Sequence, residues 1–224
     1  MAMLKYPGEL NDQNIRAIFQ GAGDFIAREL RCGQFRLHAY AIDGLVAANS
    51  ASDYVIKPIA EQLSGNSMEE LYTDALRGNI YNTVADPCKD LDTVALKLVN
   101  GFCVVLFPGA GAIAFEVKTP EKRSLSAPAV ENTVKGPKDA FVETSRSNTS
   151  LVRRHLRSPE LRIYETQVGR RSLTNVSVIW LEGITNETLV QRMKDRLASI
   201  DIDGLLTPAS VEEYVTAPGQ RRFH

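Results

Sequence analysis

Apolar residues in the first half of the chain recur at two spacings, and the two spacings predict both helices and strands. Residues 11–31 repeat apolar positions every three or four residues, which predicts an amphipathic helix. Residues 34–43 alternate apolar and polar positions, which predicts a strand. Helices are also predicted over 50–63, 67–78 and 90–101, and Ser67 with Glu70 has the spacing of a capping box. The runs 102–107 and 112–118, separated by "PGAG", predict a hairpin.

Both halves contain a helix followed by two strands, over 89–118 and 138–182, but share no matching residues. The pattern predicts a long helix from Lys138 to Leu156, strands over 161–169 and 173–183, a helix over 186–200 capped by Asn186, and a short helix over 209–215. Helices mixed with hairpins, without strict strand–helix–strand alternation, indicate an α/β (mixed α+β) protein. We therefore predict two subdomains, 1–130 and 131–217, each a small mixed sheet flanked by helices.

Composition and charge exclude several classes of function. Net charge is −1, from 26 basic and 27 acidic residues, whereas proteins dedicated to nucleic acids usually carry a basic surface. No apolar run approaches the roughly 20 residues that span a bilayer, so the chain as given is expected to be soluble. Its three cysteines, Cys32, Cys88 and Cys103, lack the spacing of a metal site and are expected to be reduced, buried thiols.

One motif resembles a nucleotide-binding loop. Gly109-x-Gly111-x-x-Ala114 follows a predicted strand, as the dinucleotide fingerprint does, but that fingerprint needs a helix to begin at the glycines. The residues after Gly111 alternate like a strand instead. We therefore predict a hairpin turn there, with no cofactor, no metal and no enzymatic activity.

The predicted helix 138–156 carries two stripes when it is wound at about 100° per residue. Asn148 lies within the apolar stripe, where it either ties down a neighbouring loop or contacts a ligand. The arginine stripe is either a solvated face, partnered by Glu143 and Glu160, or a docking face for an acidic partner or anionic lipid. The apolar stripe consists of Phe141, Ser145, Asn148, Val152 and Leu156, and the arginine stripe of Arg146, Arg153 and Arg157.

The block from Glu131 to Val215 closely resembles the A subunit of the nutrient germinant receptors of endospore-forming bacteria. That family has a Gly-Pro-(Lys/Arg)-(Asp/Glu)-x-Phe-x-Glu element, followed by Asn and by Leu-(Ile/Val)-Arg-(Arg/Lys). The matching residues here are Gly136, Pro137, Lys138, Asp139, Phe141, Glu143, Asn148, Leu151, Val152, Arg153 and Arg154. The resemblance extends more loosely upstream, to about residue 35.

The resemblance implies a role in nutrient-triggered spore germination. The family's A subunit has a two-lobed soluble N-terminal domain, loosely like solute-binding proteins, before a membrane domain that this chain lacks and toward which the tail 218–224 would lead. The implied partners are the B and C subunits, other A subunits, the membrane through the missing C-terminal portion, and a small-molecule germinant, but no nucleic acid. The implied location is the spore inner membrane, with this domain on the cytoplasmic (core) side.

Two functions are consistent with these observations. The first is a non-enzymatic module for receptor assembly and signal transmission, and the alternative is a two-lobed domain that itself binds an amino acid, sugar or nucleoside. Charge reversal at Arg153 and Arg157 is expected to leave the domain folded while impairing assembly or germination. The candidate interaction residues are Gly136, Pro137, Glu143, Arg146, Asn148, Arg153, Arg154 and Arg157.

Overall fold

The structure is a computed structural model and describes residues 5–78, 84–117, 140–204, 211, 214 and 215. The chain divides into two compact units. Unit 1 comprises Met1–Gln20 and Asp24–Pro159, and unit 2 comprises Gly21–Gly23 and Glu160–His224. The predicted boundary at 130/131 and the predicted tail 218–224 lie outside the described residues.

Unit 1 is built on a five-stranded sheet whose strand order is β1-β2-β4-β5-β3. Every strand pair in it is antiparallel, and helices accompany the sheet, so the mixed α+β class is confirmed. The strands are β1 (Phe25–Cys32), β2 (Phe35–Ile42), β3 (Ala85–Cys88), β4 (Phe102–Phe107) and β5 (Gly111–Glu116). The helices are α1 (Asp12–Ile18), α2 (Ala48–Ala51), α3 (Lys57–Glu61), α4 (Met68–Leu76), α5 (Leu91–Val99) and α6 (Ser145–His155).

The predicted helix over 11–31 is wrong in its second half. Helix α1 ends at Ile18, and β1 begins at Phe25. Gly21, at φ +79°, and Gly23 interrupt the helical pattern, and glycine inside a helix costs about 1 kcal/mol relative to alanine. Residues 25–32 then pair with all of β2 across a two-residue turn at Gly33, so tertiary pairing overrides the local periodicity.

The helical segment predicted over 50–63 is confirmed, with a local change of winding. Helices α2 and α3 are joined without a break by a π-helical turn, Ser52–Ile56. Pro58 follows directly, and a proline ring clashes with the carbonyl four residues before it. Widening the helix at this point relieves that clash, which accounts for the π turn.

The predicted hairpin over 102–118 is confirmed and forms the centre of unit 1. All six residues of β4 are buried, as expected for a short continuous apolar strand covered on both faces. One face of the sheet packs against α3 and α4 through Val105, Ile59 and Leu71. On the other face, the Tyr40 hydroxyl donates to Asp12 of α1 at 2.7 Å. The Gly109–Ala114 motif is therefore a turn that leads into a strand.

The capping signals also hold. Ser67 Oγ accepts from the Glu70 amide at 3.1 Å, and the Glu70 carboxylate accepts from the Asn66 amide at 2.7 Å. Asp90 caps α5 by accepting from the Thr93 amide at 2.7 Å. Hydrogen bonds from the Thr93 side chain and backbone lower the pKa of Asp90. Such caps satisfy backbone donors that have no partner in the first turn of a helix.

Unit 2 contains a two-stranded antiparallel sheet of β6 (Leu161–Val168) and β7 (Thr174–Leu181), together with helix α7 (Glu187–Ala198). Asn186 caps α7, as predicted, by accepting from the Thr188 amide at 2.9 Å. The Lys194 ammonium lies 4.8 Å from the Tyr164 ring centroid and 4.7 Å from that of Trp180, so its charge contacts two aromatic faces. The predicted helix over 209–215 lies mostly outside the described residues.

A short distant segment completes unit 2. The Gly23 amide donates to the Ile163 carbonyl at 2.9 Å, which attaches Gly21–Gly23 to β6. A Cβ at position 23 would lie 2.7 Å from that same carbonyl oxygen, so the approach requires glycine. Within the described residues, no helix is both long and apolar enough to cross a membrane.

Candidate functional site around helix α6

The segment before α6 is not helical, which corrects the predicted start at Lys138. Helix α6 begins at Ser145, and the described residues 140–144 precede it as an irregular segment. Phe141, placed on the apolar stripe by the sequence, is 67% exposed. The apolar stripe therefore does not continue through this segment, because Phe141, its first residue, is largely exposed.

Asn148 fixes this segment. Its Oδ1 accepts from the Val142 amide and its Nδ2 donates to the Val142 carbonyl, both at 2.7 Å. The side-chain amide thus uses its donor and its acceptor on one residue, as a neighbouring strand would. This geometry matches the interpretation that Asn148 ties down a loop.

Replacing Asn148 with aspartate tests this role. The Asn148→Asp carboxylate keeps the acceptor but loses the donor and faces the Val142 carbonyl, so we expect the free energy of unfolding to fall by about 1–2 kcal/mol. Urea denaturation of the two proteins at neutral pH measures the difference. The same change at the exposed Asn175 should alter stability by less than about 0.5 kcal/mol. Equal losses at both positions would contradict the role of Asn148.

The first turns of α6 lie against the turn that follows β2. Arg146 pairs with Asp43, and the hydroxyls of Thr149 and Ser150 both donate to the Arg146 carbonyl. Gly44 lies beneath Ser150: a Cβ there would lie 1.9 Å from Ser150 Oγ. The close approach of α6 to this turn therefore depends on the absence of a side chain at position 44.

Arg153 is buried, which corrects its predicted place on an exposed arginine stripe. Its side chain is 0% exposed and forms a bidentate ion pair with Asp24, with Nη2–Oδ1 at 2.7 Å and Nε–Oδ2 at 3.0 Å. Nη1 also donates to the Ser158 carbonyl at 3.0 Å. A planar guanidinium suits this fork, and a buried charge requires such partners because desolvation is costly. Charge reversal at Arg153 is therefore expected to unfold the domain rather than leave it folded.

The partners of Arg153 lie beside the points where the chain passes between the two units. Asp24 is the first residue of unit 1 after the Gly21–Gly23 segment, and Ser158 is two residues before Glu160, where unit 2 resumes. The Asp24 carbonyl also accepts from the Asp43 amide at 2.8 Å. Both ends of α6 are thus bonded to the same end of the β1–β2 ladder, through Asp43 and through Asp24.

Two further arginines, Arg154 and Arg157, lie in the last turn of α6 and in the residues after it. Arg157 is exposed and donates to Asn100 Oδ1 at 3.1 Å and to the Arg154 carbonyl at 3.2 Å. Arg154 is half-buried, and no acidic residue pairs with it or with Arg157 among the described residues. Glu143 is exposed in the segment before the helix, and Gly136 and Pro137 lie outside the described residues.

Three residues of this site were not predicted from the sequence: Asp24, Asp43 and Gly44. Asp24 was hidden inside a predicted helix, although the Gly-Ala-Gly that precedes it was a signal for a turn. Asp43-Gly44 directly after an alternating strand is a common turn signal. It predicts the turn, but it does not show which helix packs against that turn.

The cysteine thiols of unit 1 are not activated as nucleophiles. Burial raises the pKa of the Cys103 thiol to about 12 and that of Cys88 to about 11, so both thiols are protonated at neutral pH. The three cysteines are free and buried, as predicted. In the part of the chain that the structure describes, no three metal-ligating side chains come together. The arrangement around α6 holds segments in place by ion pairs and hydrogen bonds.

These features define an α+β protein of two compact units, with a buried arginine ion pair in unit 1. The fold resembles the N-terminal domain of the A subunit of the Bacillus megaterium spore germinant receptor GerK3, with a TM-score of 0.63 and 19% identity over 84% of this chain and 70% of that one. The family model described as Bacillus/Clostridium GerA spore germination protein matches residues 13–223. The chain belongs to the GerA family.

Curated relatives agree with this assignment. The chain is 35% identical over 217 residues to spore germination protein GerLA of Bacillus cereus, covering 95% of this chain and 44% of the relative. It is 31% identical over 205 residues to stage V sporulation protein AF of Bacillus subtilis (strain 168), covering 89% of this chain and 41% of the relative. The chain thus spans less than half the length of these relatives. The resemblance inferred from residues 131–215 is confirmed.

Proposed function

We propose that this chain is a non-enzymatic module of a spore germinant receptor that acts in subunit assembly and signal transmission. The proposal rests on one observation: the arginines of α6 and of the residues after it differ in burial and in pairing. Arg153 is buried and bonded next to two chain crossings, whereas Arg154 is half-buried, Arg157 is exposed, and neither has an acidic partner among the described residues. A helix fixed on one side and cationic on the other is suited to contact a partner and to pass a displacement inward.

The partners that we propose are the B and C subunits of the same receptor and other A subunits, with attachment to the spore inner membrane through a portion outside this chain. The domain would lie on the cytoplasmic (core) side. Exposed arginine forks suit acidic protein surfaces and anionic head groups alike. Membership of the GerA family supports this setting, and the near-neutral charge argues against a nucleic-acid partner.

Charge reversal on the exposed side tests the assembly role. We expect the double variant Arg154→Glu and Arg157→Glu, made in the gene that encodes the chain, to lower the amount of receptor in spores or to slow germination severalfold. The isolated chain should stay folded and lose no more than about 1–2 kcal/mol of stability, since neither residue is fully buried, although Arg157 loses two hydrogen bonds and both changes place an anion at the C-terminal end of α6. Immunoblotting of spore membranes and the fall in optical density during germination measure the two effects.

A matched control carries the same change of charge elsewhere. Arg31 in β1 and Arg171 in the β6–β7 turn are both exposed, and reversing them should leave receptor amount and germination unchanged. Normal receptor amount together with normal germination in the Arg154/Arg157 variant would refute the assembly role. The alternative function, direct binding of a small nutrient germinant, predicts instead that this variant keeps its receptor amount and that a ligand stabilises the isolated chain.

A further inference from the structure

Unit 1 contains a cleft of about 140 Å³ between the β1–β2 face and the helical segment that begins at Ala48. Most side chains that line it are apolar, and many are small. Ala39 and Ala41 of β2 face the cleft from the sheet, and Ala48 and Ala51 face it from the helix. Because an alanine side chain ends at Cβ, the two walls do not fill the space between them. Cys103 of β4 also lines the cleft, with its thiol protonated.

The π-helical turn forms part of the wall. Ser52 and Ile56, its first and last residues, both line the cleft. Isolated π turns within α-helices are frequent at functional sites, because the widened turn redirects side chains that a regular helix would place elsewhere. Pro58 accounts for the formation of the π-helical turn, and the first and last residues of that turn face the cleft.

One charged residue on the sheet side of the cleft, Arg28, has no ionic partner among the described residues. Arg28 of β1 pairs in register with Ala39 of β2, so its side chain lies on the same face as that alanine and lines the cleft. It is exposed, and none of the ion pairs among the described residues involves it. Asp43, the other charged residue of the lining, is already paired with Arg146. The cleft therefore combines an apolar interior with one cation that is not paired with an acid in the described part of the chain.

We propose that this cleft binds a small organic carboxylate, with an apolar body of about six carbon atoms against the alanines and the carboxylate on Arg28. The size follows from the volume, since an apolar cavity of about 150 Å³ accommodates benzene. The charge follows from Arg28, whose guanidinium can accept a carboxylate in a bidentate pair. Such a site is concave, mostly apolar and oriented by a few polar groups, as small-molecule sites generally are. The proposal does not depend on the assembly role of α6.

Titration of the isotopically labelled 224-residue chain with benzoate, followed by amide NMR shifts, tests the proposal. We expect saturable shifts at cleft residues such as Ala41, Ala51 and Ser52, and at least tenfold weaker binding of neutral benzamide. The Arg28→Gln variant should bind benzoate at least tenfold more weakly, because a charge-assisted pair is lost. Arg36→Gln, which removes an exposed arginine from the neighbouring strand outside the cleft lining, should bind as the unchanged chain does.

A second variant fills the space. Ala41→Leu should abolish binding of benzoate while leaving a dispersed spectrum of a folded protein. If Ala41→Leu does not fold, the Arg28→Gln comparison still decides the question. Absence of saturable shifts with both benzoate and 4-methylpentanoate up to about 10 mM, or equal affinity of the Arg28→Gln variant, would overturn the proposal. Failure here would leave the spore experiment on Arg154 and Arg157 unaffected.

Discussion

Replacement of Arg153 by leucine is expected to lower the free energy of unfolding of the chain by about 3–5 kcal/mol. The substitution leaves the Asp24 carboxylate, whose side chain is only 11% exposed, without its bidentate partner, and it removes the donor to the Ser158 carbonyl. Removing one member of a buried ion pair costs more than removing both, because an uncompensated charge remains in a region of low dielectric constant. Urea denaturation followed by circular dichroism measures the loss.

Two comparisons make this prediction specific. Arg154→Leu changes the next residue of the same helix, which is only half-buried, and should cost less than about 1 kcal/mol. The double variant Arg153→Leu with Asp24→Leu should be more stable than Arg153→Leu alone, because the orphaned carboxylate is gone. A single Arg153→Leu variant that unfolds at the same urea concentration as the unchanged chain would show that the arginine is not buried as described.

The second large effect is expected at Gly44, where alanine should destabilise the chain by about 2–4 kcal/mol. Gly44 has φ +78°, a conformation that costs a residue with a Cβ about 1–2 kcal/mol. The added methyl group would also lie 1.9 Å from Ser150 Oγ and 3.1 Å from its Cβ, so the Ser150 side chain must rotate out of its bond to Arg146 and α6 must shift slightly from the turn. Thermal and urea denaturation measure the loss.

Gly33 provides the matched control for Gly44. It also has a positive φ, +57°, but a Cβ there meets nothing within 4 Å, so Gly33→Ala should cost only the backbone part, about 1–2 kcal/mol. Adding Ser150→Ala to Gly44→Ala removes the closest clash and should restore about 1 kcal/mol. Equal losses at Gly33 and Gly44, with no recovery in the double variant, would mean that α6 does not contact this turn.

These two predictions concern contacts that sequence analysis did not foresee, and the reason is sequence distance. Arg153 and Asp24 are separated by 129 residues, and helical periodicity places Arg153 on a stripe with other arginines without saying what covers that stripe. A charged residue on a helix is solvated by default, so only its burial and the opposite charge beside it reveal a structural role. Arg157 of the same stripe is exposed, as the helical pattern indicates, whereas Arg146 is paired with Asp43 and Arg153 with Asp24.

The error at residues 24–32 has a related cause. Apolar residues at positions 25, 26 and 30 fit a helical period as well as they fit a strand, so local pattern alone does not decide between them. The decision came from β2, which pairs with β1 along its whole length across Gly33. Sheet formation depends on a partner strand, and strand propensity is therefore more sensitive to context than helix propensity.

Features with local signals could be predicted from the residues alone: the capped helices that begin after Ser67, Asp90 and Asn186, the buried hairpin 102–116, and the family block from which membership was inferred. Helix caps and apolar runs depend on residues that are close together in the chain, so they can be recognised from the sequence. Only the tertiary structure decided which arginine of α6 is buried, which glycine it packs against, and that a cleft lies beneath Arg28. Each of these depends on segments far apart in the chain, whose meeting is set by the packing of the whole unit.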